Sequence, residues 1–262
     1  MSEPRPDGPA AGWLASASVL VTGAGGGIGS AACGAFLSHG AHVTGLDLND
    51  GWAEQVDAGL PGKLRAVRGD VTRAEDVATA VQEAYDAHGR LDVVIAGAGI
   101  QTVGSVEETT EQAWRKVIDV NLTGTWLTCK YAVPALRASG GGTILCLAST
   151  TALHPRQNLG AYCVSKAGVG MLVRVLGREV ANEGIRVVGV CPTGVETPLL
   201  AGMIGGLRAG RTSDDRDAGL MAAKPVQRWL TADEVAGALV WLTSPAGAAV
   251  TGSLIPIDFA SA

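Results

Sequence analysis

Residues Ser18-Val19-Leu20-Val21-Thr22-Gly23-Ala24-Gly25-Gly26-Gly27-Ile28-Gly29 decide how this chain is built. The first four form a short apolar run of the length of a buried strand. A glycine-rich turn follows at once, and from about Ile28 to His39 the residues read as a helix. Strand, glycine turn and helix in that order make a phosphate-binding device. Residues without Cβ let the backbone approach a pyrophosphate, and the helix N-terminus adds free N–H groups and the positive end of its dipole. A glycine-rich loop alone is often only a tight turn, but here strand and helix supply the context that the motif requires.

The next apolar run, Ala41 to Leu46, ends in Asp47, 18 residues past Gly29. That is close to the ~20 expected for an acid that binds adenosine ribose hydroxyls. Loop and acid together point to a dinucleotide. A 2′-phosphate would meet the charge of Asp47, and the glycine loop offers no arginine to receive one, so NAD is favoured over NADP.

Alternation continues outward from this unit. Strands are expected at Leu64–Arg68, Leu91–Ile95, Thr143–Leu147, Ile185–Val190 and Ser253–Ile257. Between them lie helical stretches at Ala74–His88, Glu111–Ala138 (interrupted at Asn121-Leu122-Thr123-Gly124) and Tyr162 to about Asn182. Thr231-Ala232-Asp233-Glu234 is a capping box opening a helix to about Thr243. Near-continuous apolar strands alternating with helices argue for a parallel sheet covered on both faces. Residues 1–16, rich in proline, glycine and charge at their start, are expected as a flexible tail, and 17–262 as one domain. Residues 199–228 have many glycines and no clear period, and are expected as a long loop or loosely helical lid.

Composition sets bounds. The 262 residues are 47% hydrophobic, enough for a sizeable core, and the 37 glycines follow no collagen-like period. The net charge is -5 with no basic stripe, which argues against nucleic acid. No signal-peptide pattern or apolar run of membrane-spanning length is seen, so a cytoplasmic protein is expected. Cys33, Cys129, Cys146, Cys163 and Cys191 are far apart and set in apolar context, as buried reduced thiols would be, and none has metal-ligand spacing.

Tyr162 and Lys166 share one face of their helix, a turn apart. A phenol with pKa near ~10 is a poor base at neutral pH, and an adjacent ammonium lowers that value. The pair suits moving a proton onto or off an alcohol oxygen, although such pairs are also routine on half-exposed helix faces.

With these residues in place, the sequence resembles the short-chain dehydrogenase/reductase family from about Ala17 to Asp258. The motifs occur in the family's order: Thr22-Gly23-x-x-x-Gly27-x-Gly29, Asp70-Val71, Asn121, Ser149, Tyr162-x-x-x-Lys166, and Pro192 through Thr197. Ser149 stands 13 residues before Tyr162, the family's usual spacing. The resemblance implies a single-domain Rossmann-type, doubly wound parallel sheet of about seven strands with helices on both faces. It implies Tyr162 as general acid/base, Ser149 bonding the same substrate oxygen, Lys166 lowering the tyrosine pKa and holding the nicotinamide ribose, and Asn121 breaking its helix to hold a water. For NAD it implies Thr22, Gly23, Gly27, Ile28, Gly29, Asp47, Asp70, Val71, Ala98, Gly99, Tyr162, Lys166, Pro192, Val195 and Thr197.

The implied partners are a small-molecule alcohol or ketone and further copies of the chain, in a homotetramer or homodimer. The two long helices would form that contact, with Ala167, Gly168, Gly170 and Met171 permitting close approach. Three positions depart from the family's usual pattern: Ala96-Gly97 where asparagines are common, Thr193 after Pro192, and Asp258-Phe259-Ala260 in place of Asp-Gly-Gly. An NADP-linked ketoreductase and a non-catalytic dinucleotide-binding regulator remain as alternatives. The longer C-terminal domain of related epimerases and the wider Tyr–Lys spacing of enoyl reductases are both absent. Thr151, Leu153, His154, Arg156 and Asn158 lie where the family lines its substrate pocket.

Overall fold

The computed structural model describes residues 12–56, 59–208 and 225–260. Its first half runs β1 (Ser18–Thr22), α1 (Gly27–Ser38), β2 (His42–Asp47), α2 (Ala53–Val56), β3 (Lys63–Arg68), α3 (Ala74–Asp86) and β4 (Val93–Ala96). It continues with α4 (Glu111–Ile118), α5 (Gly124–Ala138), β5 (Gly142–Leu147), α6 (Gly160–Glu179), β6 (Ile185–Pro192), α7 (Pro198–Arg208), α8 (Ala232–Thr243) and β7 (Ser253–Ile257).

The seven strands lie in the order β3-β2-β1-β4-β5-β6-β7, every neighbouring pair parallel. The chain winds outward from β1 to one edge and then returns to build the other half. The reversal between β1 and β4 opens a crevice beyond the carboxyl ends of the strands, where ligands bind in such sheets. This is the doubly wound, Rossmann-type architecture expected from the sequence.

Successive strand residues face opposite layers. Val19 and Val21 join Phe36 of α1 and Leu239 of α8 on one face, while Leu20 joins Val77 of α3, Leu136 of α5 and Val169 of α6 on the other. Because both faces are covered, β1 and β4 are buried at every residue. The Thr231–Glu234 capping box forms with both of its arms. All five cysteines are buried and unpaired. No helix among the described residues is long and apolar enough to cross a membrane.

Several expectations are corrected. Residues 1–11 and 209–224 lie outside the described residues, but 12–16 are not a loose tail: Leu14 is buried in the core and the Ser16 amide donates to the Gly40 carbonyl at 2.9 Å. The first part of residues 199–228, expected as a long loop or loosely helical lid, agrees with that expectation: it is helical, in α7. Gly168 and Gly170 do not face outward for a partner, since an added Cβ would meet Leu122 and Leu254 of the same chain at 2.7 and 3.0 Å.

Two of the three departures from the family pattern have physical accounts. At Gly97 a Cβ would stand 2.8 Å from the Thr22 carbonyl oxygen, leaving no room for an asparagine side chain. Phe259 and Ala260 both take left-handed φ, 54° and 56°, without being glycine. Such a conformation costs roughly 1–2 kcal/mol per residue. Compensating contacts are the Ala260 amide donating to Asp258 Oδ1 at 3.0 Å and the Arg228 guanidinium 4.5 Å above the Phe259 ring.

Candidate active site

The glycine loop is held from both sides. Gly23 has φ +71°, and a Cβ there would lie 2.6 Å from the backbone of Ala98. At Gly29 it would come 2.0 Å from the Gly23 carbonyl oxygen, and at Gly27 2.5 Å from Thr197 Cγ2. Thr22 is buried beneath the loop, where its Oγ1 accepts from the Gly97 amide at 3.2 Å. Asp47 pins the loop's other flank: Oδ2 accepts from the Gly25 amide and Oδ1 from the Leu48 amide, each at 2.8 Å. The helix that follows begins with no side-chain cap and no acidic residue in its first turn. Its leading amides and dipole are therefore available to an anion.

Opposite the loop, β5 ends at Leu147 and Ser149 follows two residues later, its Oγ accepting from the Thr151 amide at 3.2 Å and so capping a short 3₁₀ turn. The chain returns through Leu159, buried, into the first turn of α6, which carries Tyr162. Lys166 lies one turn further on, nearly fully buried, with Nζ donating to the Leu147 carbonyl at 2.6 Å. Its ammonium is 5.8 Å from the centre of the Tyr162 ring.

The electrostatics differ from the expectation of a lowered phenol pKa. Burial pushes the Tyr162 phenol up to about 12, the nearby Ser149 hydroxyl working in the opposite direction. Burial also pulls the Lys166 ammonium down to about 8. Each group has lost water that would stabilise its charged form, and that desolvation is the largest influence on both.

The α-helix is interrupted at Asn121, as expected, by a change of helix type. Asn121 sits fully buried in a π-helical turn, Asp119–Thr123, that joins α4 to α5. Oδ1 accepts from the Ile100 amide at 2.8 Å, and Nδ2 donates to the Ile100 carbonyl at 2.9 Å and to Ser165 Oγ at 3.0 Å. The asparagine thus ties the loop after β4 to α6. It lies behind Gly99, where an added Cβ would be 3.4 Å from Lys166 Nζ and 3.6 Å from Asn121 Oδ1.

One cleft unites Ser149, Tyr162 and Lys166 with Ile28 and Gly99, with Pro192 at the end of β6, and with Val195 and Thr197 beyond it. Asp70 and Val71 stand apart from it at the end of β3. There Asp70 Oδ1 accepts from the Thr72 amide and hydroxyl, and Val71 packs where α5 begins, under Gly124. Of the loop residues singled out between Ser149 and Tyr162, Thr151 and Arg156 line the cleft, whereas His154 and Asn158 are exposed.

Sequence reasoning missed the far wall. Leu199, Leu200 and Met203 of α7, together with Trp229, line the cleft, and Gln101 Nε2 donates to the Leu199 carbonyl at 2.6 Å. The spacing of Leu199, Leu200 and Met203 was a helical signal, masked by the glycines around it. Trp52 gave no signal. Its ring fills the space beside Gly25 and Gly45.

A family model described as enoyl-(acyl carrier protein) reductase matches residues 23–259. The solved structure of a short-chain type dehydrogenase/reductase from Mycobacterium marinum has a TM-score of 0.87 and 30% identity to this chain, covering 95% of it and 96% of that chain. The chain belongs to the short-chain dehydrogenase/reductase family. D-threitol dehydrogenase of Mycolicibacterium smegmatis is 36% identical to this short-chain dehydrogenase/reductase over 91% of its length and 90% of the relative's. Cis-4-hydroxycyclohexanecarboxylate dehydrogenase of Sinomonas cyclohexanicum is 35% identical over 91% and 94%.

Proposed function

We propose that this protein interconverts a secondary alcohol and a ketone with NAD, Tyr162 being the general acid/base. The observation that carries this reading is the convergence of the Ser149 and Tyr162 side chains and Lys166 on one cleft, at the carboxyl ends of the strands. That the relatives just described are dehydrogenases of hydroxyl compounds supports it. A regulator that only sensed a dinucleotide would have no use for the proton-moving residues.

The residues present fit NAD. The uncapped start of α1 would take the diphosphate, Asp47 the adenosine ribose, and Ile28, Pro192, Val195 and Thr197 the nicotinamide end. When bound, NAD supplies the hydride acceptor or donor. In oxidation Tyr162 takes the hydroxyl proton while Ser149 orients the oxygen; in reduction Tyr162 returns it. Lys166, between Tyr162 and Gly99, would hold the nicotinamide ribose and bias the phenol toward its anion. NADP is the second reading, favoured by Arg68, the exposed in-register neighbour of Asp47 on β3. Reduced, buried cysteines suit the cytoplasm, where the protein is proposed to act.

The test is an NADH-formation screen of the purified protein against a broad panel of alcohols. Tyr162→Phe keeps the ring and removes the oxygen, so turnover should fall by about 10²–10⁴-fold in a correctly folded protein. With the phenol raised toward about 12, the base form grows with pH: oxidation should accelerate as pH rises and ketone reduction should slow. A Tyr162→Phe variant that keeps most of its activity would show the proton relay to be wrong.

A further inference from the structure

The cleft that holds Ser149 and Tyr162 carries two positive side chains, Lys166 and Arg156, and no acidic one among the described residues lining it. Lys166 is committed to the Leu147 carbonyl. Arg156 is half-buried, and its guanidinium has no partner among the described residues. This sets it apart from Arg65, Arg90, Arg137 and Arg228, which all pair with carboxylates, and from Arg68, Arg174 and Arg178, which stand exposed. A second polar group in the same cleft is also unanswered: Thr151 Oγ1 is buried and has no hydrogen-bond partner. The surroundings of these two donors are apolar, with Leu159, Leu200, Met203 and Trp229 in the lining.

A half-buried cation and a buried hydroxyl, both unpartnered, are costly in a largely apolar cleft unless a ligand completes them. A guanidinium offers a planar fork that matches a carboxylate through two parallel hydrogen bonds. A neutral alcohol would leave that fork unanswered, whereas an anionic group would be drawn in and oriented by it.

We propose that Arg156, with the Thr151 hydroxyl, anchors a carboxylate on the substrate, at the opposite end of an apolar body from the carbinol carbon presented to Ser149 and Tyr162. The substrate class is then an apolar hydroxy acid, or the corresponding keto acid. This rests on the alcohol–ketone reading of the site and refines it.

The test compares 4-hydroxycyclohexanecarboxylate with its neutral amide, in the wild-type protein and in Arg156→Gln and Arg156→Lys. In NADH formation the wild type should favour the acid by about tenfold or more in kcat/KM, the advantage lying mainly in KM. Arg156→Gln should collapse that preference, and Arg156→Lys should restore part of it by returning the charge without the fork. The pair cyclohexanecarboxylate and cyclohexanecarboxamide supplies a readout that needs no turnover. With NADH present, the acid should raise the melting temperature of the wild type more than the amide does, and Arg156→Gln should erase the difference. If no alcohol is oxidised but this difference in melting temperature is present, the anchor stands and the alcohol–ketone reading fails. Equal responses of the wild type to acid and amide would overturn the anchor, whatever the turnover. So would an Arg156→Gln variant that weakens acid and amide equally.

Discussion

Replacing Lys166 with methionine keeps the length of the side chain and removes its charge. In the folded protein this lysine is 4% exposed, and burial lowers its pKa from 10.5 to about 8. The gap of roughly 2.5 units, at about 1.4 kcal/mol per unit, makes the charged form cost about 3 kcal/mol at neutral pH. The unfolded chain keeps this proton up to about pH 10.5, while the folded chain releases it near 8. Between those values the unfolded state binds more protons, so stability rises with pH across that window and the full cost remains below it. Tyr162 acts with the opposite sign at higher pH. Its folded pKa is raised to about 12, so its contribution is present below the ordinary phenol value and is lost as pH climbs through 12. Cys191, pushed up to about 11 by burial, stays a thiol through the lysine window. Tyr162 and Cys191 are both present in the variant, so the comparison isolates the lysine together with its own coulombic effect on Cys191. Urea unfolding of the two apoproteins between about pH 7 and pH 10 should therefore show the wild type gaining on Lys166→Met by up to about 3 kcal/mol as pH rises. The methionine variant should also lose turnover and bind NAD more weakly. Stability curves that run parallel across this range would show that Lys166 titrates as an ordinary lysine and that the burial argument fails.

Two further outcomes are expected. NAD should be preferred over NADP by at least about tenfold, or 1.4 kcal/mol; Asp47→Ala should narrow that gap while freeing the Gly25 and Leu48 amides, and equal turnover with both cofactors in the unaltered protein would refute the role of Asp47. Trp126 on α5 and Val164, Met171 and Val175 on α6 are large apolar residues left exposed, so these helices should bury them against further copies in a dimer or tetramer; a monomer by light scattering at micromolar concentration would refute this.

Much of the molecule was legible in the residue order because it depends on neighbours in the chain. Apolar runs marked the strands, β7 to the residue, and Thr231 with Glu234 marked the start of α8 through a cap that spans a single turn. The glycine loop, Ser149, Tyr162 and Lys166 could be named from their order and spacing, and the fold brings them to the same end of the sheet. What no window of sequence contained is which distant segment each residue meets. Asn121 bridges Ile100 and Ser165, 21 and 44 residues away, and the expected interruption of the helix takes the form of a π-helical turn. Gly97 excludes a side chain because Thr22 lies against it, and Leu14 is core because the turn after it folds back to Gly40. The pairing of Tyr162 with Lys166 argues for a lowered phenol, a local inference. Burial pushes it upward instead, because desolvation sums over every element that excludes water from the cleft. Periodicity tells which face of an element is buried, but the partner on that face, and the water it displaces, exist only once the chain has folded.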